Sequence, residues 1–324
     1  MERSAKPSFD ELDHRVLQAL QLDGRAPFRR IAAALDVSEN TVARRYRTLC
    51  TQGLRIVART LPERLGDSRW LLRIQCAPDA TTPLAEALAR LPESSYVSID
   101  SAGTQIHCGI TAPDTDGNET PVLANLHRMS RVTEISAHCL LRVYEGDPPA
   151  WYTKLHPLTP EQTALAPPRD VPAPQDEDEP ALLDDADRAL ITHLADDARA
   201  TFPQLAAATG LSTATAKRHL DRLRASGLLQ ISTEFPPRHL GYRLMSYLWL
   251  RVDPSCLHDV GTALAGHRPI SFAAATTGPY NLVATTITRS TTDLYRYLTD
   301  HVGHLPGIQY VETAPALRQI KRLA

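Results

Sequence analysis

Residues 12–54 read LDHRVLQALQLDGRAPFRRIAAALDVSENTVARRYRTLCTQGL, and residues 186–228 read ADRALITHLADDARATFPQLAAATGLSTATAKRHLDRLRASGL. The two stretches align without a gap. Asp13 falls with Asp187, Leu20 with Leu194, Arg25 with Arg199, Phe28 with Phe202, Ile31 with Leu205, Ser38 with Ser212, Thr41 with Thr215, Arg44 with Arg218, Leu49 with Leu223 and Gly53 with Gly227. Internal repetition sets the architecture, so it takes precedence over any single motif. The repeat is too long for a solenoid unit and holds two kinds of structure. The chain therefore reads as two copies of a small two-domain protein joined in tandem.

The first part of each copy is helical. Leu12, Val16, Leu17 and Leu20 recur at helical spacing behind Asp10, a favoured N-cap. A second helix is expected from Phe28 to Leu35, with Ile31, Ala32 and Leu35 facing inward. After the turn Asp36-Val37-Ser38, Ser38 caps a third helix from Glu39 to Cys50, and Gly53 ends it. Copy two repeats this over Asp184–Ala195, Thr201–Thr209 and Thr213–Ser226.

Beyond Gly53 the apolar period changes from helical to alternating. Arg55–Ala58 reads as a short connecting strand. In the next strand Trp70, Leu72, Ile74 and Cys76 share a face. A helix starting near Pro83 follows, then strands at Tyr96–Asp100 and Gln105–Thr111, a helix at Pro121–Met129 and a strand at Ile135–Tyr144. In this last strand Ile135, Ala137, Cys139, Leu141 and Val143 are expected on one side. Copy two places strands at Leu229–Phe235, Leu244–Val252, Ser271–Thr276, Leu282–Thr288 and Ile308–Thr313, with helices at Leu257–Leu264 and Thr292–Val302. Each copy thus ends in a β-α-β-β-α-β plait, and the fold class is α+β. The expected domains are residues 9–66 and 183–241 (three helices each), 67–155 and 242–324 (plaits), and a linker at 156–182. The linker is proline-rich and carries the acidic run Asp176–Glu179, a composition that resists packing.

A net charge of -2 makes no whole-chain case for nucleic acid, so any such case must be local. No apolar run is long enough to span a bilayer and no signal-peptide core is present, which points to the cytosol. The five cysteines lack C-x-x-C spacing and read as free thiols. His301 and His304 alone are too few ligands for a metal, and no cofactor is expected.

Helix, helix, short turn, helix is the helix-turn-helix architecture, in which the third helix enters a DNA major groove. The residues positioned for DNA are Ser38, Asn40, Thr41, Arg44, Arg45 and Arg47 in copy one. In copy two they are Thr213, Thr215, Lys217, Arg218 and Arg222. Arginine and asparagine can bond base edges bidentately. Arg25, Arg29 and Arg30 would suit phosphates.

These motifs, with the Leu-Gly junction at residues 65–66 leading into a plait, resemble the Lrp/AsnC (feast/famine) transcriptional regulators. The resemblance implies plaits that pair sheet against sheet, possible further self-assembly, and an effector such as an amino acid bound near the plait interface. It also implies double-stranded DNA as partner and no membrane. The glycine loop between the second and third plait strands contributes to the effector site in the family. Here it corresponds to Thr277, Gly278, Tyr280 and Asn281 in copy two, and to Gly103 and Thr104 in copy one, which lacks the tyrosine. A tight turn alone would also explain the glycine. The tandem form lets one chain supply both halves of a dimer-like unit, with unequal third helices and hence an asymmetric operator. Two other functions share the fold. A sirohaem-decarboxylase-like enzyme would need histidine and arginine side chains, such as His107, His138, His267 and Arg268, around a tetrapyrrole. A protein that has lost DNA binding would act through protein contacts.

Overall fold

The computed structural model describes residues 9–113, 131–146, 151–156, 159–165 and 181–321. The expected helix at Pro121–Met129 and the acidic run at 176–179 lie outside these residues. The chain divides into two compact units that cut across the duplication. One gathers the helical parts of both copies, and the other gathers both plaits.

In the helical unit, copy one forms α1 (Glu11–Leu22), α2 (Phe28–Leu35), α3 (Glu39–Thr51) and strand β1 (Arg55–Thr60). Asp10 and Asp13 build a reciprocal capping box at the start of α1. After α3, Gly53 takes a φ of +99°, and the amides of Gly53 and Leu54 return to the carbonyls of Cys50 and Leu49. This is a Schellman ending, and it satisfies carbonyls the helix leaves open. Val16, Leu17, Leu20, Ile31, Leu35, Val42 and Leu49 form the core.

The short segments that follow plait one return to this unit. Gln18 donates its side-chain amide to the His156 carbonyl, and Tyr152 bonds the backbone of Phe235. Thr159 caps a short helix, α5 (Pro160–Thr163), after which Leu165 is buried and Arg30 bonds the Ala164 carbonyl. The beginning of the expected linker is therefore folded, because Leu165 and Gln162 find burial that the proline content concealed. Copy two supplies α6 (Asp185–Asp196), α7 (Phe202–Thr209), α8 (Thr213–Ala225) and β6 (Leu229–Glu234).

The expected connecting strands are partners of each other. β1 and β6 pair antiparallel, from Arg55 opposite Glu234 to Thr60 opposite Leu229. The junction is reciprocal. Arg25 donates to the carbonyls of Ala198 and Ala200 and lies over the Phe202 ring. Arg199 donates to the carbonyls of Gly24 and Ala26 and lies over Phe28 and Tyr46. Arg25, expected at a phosphate, is committed instead to the other copy. The sequence suggested a phosphate because its carbonyl partners, Ala198 and Ala200, lie far along the chain.

In the plait unit, copy one forms β2 (Asp67–Cys76), α4 (Pro78–Ala89), β3 (Ser94–Asp100), β4 (Gln105–Pro113) and β5 (Val132–Glu145). Copy two forms β7 (Leu244–Val252), a helix at Leu257–Gly266, β8 (Ile270–Thr276), β9 (Leu282–Thr288), a helix at Thr291–Asp300 and β10 (Ile308–Lys321). α4 starts at Pro78 rather than near Pro83, which lies inside the helix. Pro78 takes the first-turn position, where a missing N–H costs nothing.

The strands close into one barrel in the order β10-β3-β4-β2-β5-β8-β9-β7. Within it each copy keeps its plait order, β3-β4-β2-β5 and β8-β9-β7-β10. Closure comes from the two long last strands. β5 pairs with β2 through residue 139 and with β8 from Leu140 onward. β10 pairs with β7, then continues past the expected end at Thr313 to pair with β3. Register shifts accompany both exchanges, so the single-face alternation expected for β5 fails: Ile135 packs on plait one, Val143 on the core between sheets, and Leu141 is exposed. Each sheet covers its own helix with one face, through Leu72, Ile74 and Ile106 or Leu248, Leu250 and Leu282. The opposite faces meet around Leu71, Tyr247, Trp249, Ala274, Val283 and Ala314.

Candidate DNA-contacting helices and effector cleft

The third helices differ along their length in what their polar groups do. Ser38 accepts from the Thr41 amide at 3.1 Å, and the two hydroxyls lie 2.8 Å apart. Ser212 and Thr215 repeat this at 3.1 and 2.9 Å. Arg45 is held by Asp10 at 2.7 Å and Asp13 at 3.2 Å. Arg222 and His219 converge on Asp187 at 2.5 and 2.9 Å. Burial acts against the Asp187 carboxylate, but His219 and Arg222 hold its pKa below the usual range. Arg45 and Arg222 thus brace α3 and α8 against the capping boxes of α1 and α6. Asn40, Arg44, Thr213, Lys217 and Arg218 are exposed, Lys217 in an ion pair with Asp221. Arg47, also exposed, bonds the Ala43 carbonyl. Asp184, Asp187 and His219 come within 4.8 Å of one another as metal ligands would, but Arg222 already supplies the positive charge at Asp187.

The plait unit contains a cleft of about 240 Å³. β2 contributes Arg73 and Gln75, β5 contributes Glu134, Ser136 and His138, the loop after β8 contributes Pro279 and Tyr280, and β10 contributes Glu312. Arg73 pairs with Glu312 and lies 4.8 Å over the Trp249 ring. Burial works against the Glu312 carboxylate, but bonds from Arg73 and Tyr280 keep its pKa below the ordinary value. The same bond to Glu312 raises the Tyr280 phenol. His138 bonds the Thr277 carbonyl through Nδ1 at 2.9 Å, so Nδ1 carries the proton and Nε2 is left an acceptor without a partner among the described residues. Burial lowers the His138 pKa.

Of the four loop residues expected at an effector, Tyr280 lines the cleft. Thr277 is tied to the backbone of Cys139, and Asn281 clamps the Val252 backbone with both side-chain atoms. Gly278 has a φ of +100°, and a Cβ there would lie 2.8 Å from His138 Nδ1, so the turn and the close approach both require glycine. In copy one, Gly103 (φ +91°) faces the Leu317 side chain of β10, and Thr104 bonds the Ser101 carbonyl. Arg73, Glu134, Ser136 and Glu312 escaped the sequence reading, and His138 entered it only as a side chain for a tetrapyrrole. Their one local signal is polar residues at alternate positions of otherwise apolar strands.

The equivalent place across the barrel is closed. Arg73 pairs in register with His107 and Ser136, as Trp249 pairs with Val283 and Glu312, so Arg73 and Trp249 correspond. There Trp249 Nε1 donates to His107 Nε2 at 3.1 Å, and His107 Nδ1 donates to Asp100. Ser98 bonds Asp100 at 3.1 Å and the Tyr247 hydroxyl at 2.9 Å, and Tyr247 donates to Tyr96. Asp100, His107, Ser98 and Trp249 are fully buried, and burial drives the Tyr247 phenol well above its usual pKa.

Two capped helix-turn-helix modules, each followed by a plait, define a duplicated helix-turn-helix protein. Comparison with known families agrees. An AsnC-type helix-turn-helix domain matches residues 9–49, a winged helix-turn-helix DNA-binding domain matches 183–230, and an Lrp/AsnC ligand binding domain matches 246–323. The chain belongs to the Lrp/AsnC family, in a tandem-duplicated form.

Among curated relatives, the HTH-type transcriptional regulator FL11 of Pyrococcus horikoshii is 29% identical over 140 residues, covering 43% of this chain and 92% of its own length. LrpA of the same organism is 23% identical over 141 residues, covering 43% and 100%. Among solved structures, the siroheme decarboxylase NirDL superposes with a TM-score of 0.65 at 15% identity, over 96% of this chain and 93% of that one. Its complex with an iron-uroporphyrin III analogue gives 0.64 at 16%, over 97% and 93%. At such identity the likeness is one of fold.

Proposed function

We propose that this chain is a transcriptional regulator that binds double-stranded DNA through α3 and α8 and is modulated by one small molecule held in the plait cleft. The observation that carries this is the division of cations on the third helices. Arg45 and Arg222 are spent on bracing, while Arg44 and Arg218 stand exposed at matching positions without a side-chain partner among the described residues. Exposed arginines on braced, serine-capped helices suit base edges or phosphates. The two helices differ in sequence, so the operator is asymmetric. The cleft lies below the roughly 300–1,000 Å³ of drug-sized sites, which suits a ligand of few atoms. One such site per chain follows from the closed network at the equivalent place. Leu141 and Leu317, at equivalent strand positions and both exposed, suit further self-assembly.

A tetrapyrrole enzyme is disfavoured by where the histidines go. His107 is enclosed by Asp100 and Trp249, and His267 bonds Tyr297, which leaves only His138 at the cleft. No helix among the described residues is long and apolar enough to cross a membrane.

The test is gel retardation and footprinting on DNA flanking the protein's own gene across a salt series. Retention should fall steeply with salt. Arg44→Ala and Arg218→Ala should weaken binding unequally, by about 1–3 kcal/mol for a base-reading residue. A symmetric footprint with equal losses sinks the asymmetric operator, and no retention at low salt sinks DNA binding.

A further inference from the structure

We propose that the plait cleft takes a small organic cation, an alkylammonium or guanidinium compound, and rejects compounds of net negative charge. This rests on the effector reading above and names the ligand class of that site.

Charge decides the matter. The cleft is lined by two carboxylates, Glu134 and Glu312, and by one guanidinium, Arg73. Arg73 is already engaged: both of its terminal nitrogens reach the Glu312 carboxylate, and its guanidinium stacks over Trp249. Glu312 also receives the Tyr280 hydroxyl. A ligand of net negative charge would have to displace Glu312 from Arg73 while facing Glu134. Glu134 has no ion pair among the described residues, so one negative charge is left over.

The remaining polar groups also favour a donor. His138 is 2% exposed and lines the cleft, and its Nδ1–H is used on the Thr277 carbonyl. Its Nε2 has no hydrogen-bond partner among the described residues. Burial opposes protonation of the ring, so it remains an acceptor. A buried acceptor left unpaired is costly, and a donor on the ligand removes that cost. An ammonium or guanidinium supplies donors and positive charge together. The geometry thus assigns Glu134 to the ligand's charge and Tyr280 to the wall closing over it.

The test is calorimetric titration of the full chain at fixed ionic strength with putrescine, L-lysine, L-leucine, L-glutamate and succinate. Putrescine and L-lysine should bind at least about tenfold more tightly than L-leucine, and the two anionic probes should give no measurable heat. Glu134→Gln, an exposed change that should leave the melting temperature unaltered, should weaken both cations by about tenfold. The proposal is overturned if neither cation binds, if L-glutamate or succinate binds as well as L-lysine, or if Glu134→Gln binds the cations unchanged. DNA retention at saturating putrescine is read separately. Cation binding with unchanged DNA affinity would remove the regulatory reading and leave the ligand class standing.

Discussion

Two equivalent places in the barrel have opposite characters. Around Trp249 the space is closed: indole, imidazole and carboxylate form a chain in which His107 spends both ring nitrogens, and Ser98 and Tyr247 extend it to Tyr96. Around Arg73 the space is open, and an ion pair to Glu312 borders a cleft with the unpartnered Nε2 of His138. In a symmetric dimer of identical chains both places would be the same. Fusing two copies lets them diverge, and one place has become a structural junction while the other keeps room for a ligand. The closed side also discriminates between pairings. Asp100 and His107 come from copy one and Tyr247 and Trp249 from copy two, so only unlike plaits complete the chain of bonds. Like plaits would bury the same groups without partners, at about 1–3 kcal/mol each.

The sharpest way to break this contrast is His107→Val, which installs the residue found at the equivalent position, Val283. It strips Asp100 of its ring partner and leaves the Trp249 N–H unbonded in a site with no solvent access. A loss of about 3–5 kcal/mol in urea unfolding is expected, and a change under about 1 kcal/mol would show that the network carries little. Trp249→Phe should cost somewhat less, about 2–3 kcal/mol, since His107 Nε2 loses its donor, Arg73 loses part of the ring beneath it and the buried indole leaves a void, but no charged group is stranded.

The open side is best probed by pH. His138 has its pKa lowered, chiefly by burial, so its folded form favours the neutral ring. Its contribution to stability is full above the unfolded histidine pKa of about 6.5 and is lost as pH falls below that value toward the lowered one. His14, also lowered mainly by burial, acts in the same direction in the helical unit. The informative quantity is therefore the difference between the wild type and His138→Gln in melting temperature from pH 7.5 to 5. The variant should lose less on acidification, and parallel curves would remove His138 from the effect.

The smallest expected effect compares the helical copies. Asp36 and Gly210 are equivalent, and both end the second helix in the left-handed region, at φ 54° and 70°. Aspartate is strained there and glycine is not. Asp36→Gly should raise stability by about 0.5 kcal/mol after the entropic cost of glycine, and a loss would show that the aspartate side chain contributes in place.

Local features were the legible ones. Asp10, Ser38, Ser212 and Gly53 mark helix ends by chemistry confined to one or two turns, and they stand where their types require. Strand alternation correctly set Trp70, Leu72, Ile74 and Cys76 on one face, which packs into the core of plait one. Arg25 and Arg45 were harder, because an arginine on a helix looks the same whether it meets solvent, DNA or a carbonyl of the other copy. The cleft was nearly invisible. Arg73 and Glu312 are neighbours only because β2 and β10 enter the same barrel, and His138 faces the Thr277 loop only because β5 leaves its own sheet.

The duplication, the helix-turn-helix modules, their caps and the plait order follow from the amino-acid sequence itself, because periodicity and capping act over a few residues. The pairing of β1 with β6, the exchange of β5 and β10 between sheets, the closed network and the cleft were decided by tertiary structure. Each depends on register between strands far apart in the chain, where one bulge changes which side chains meet.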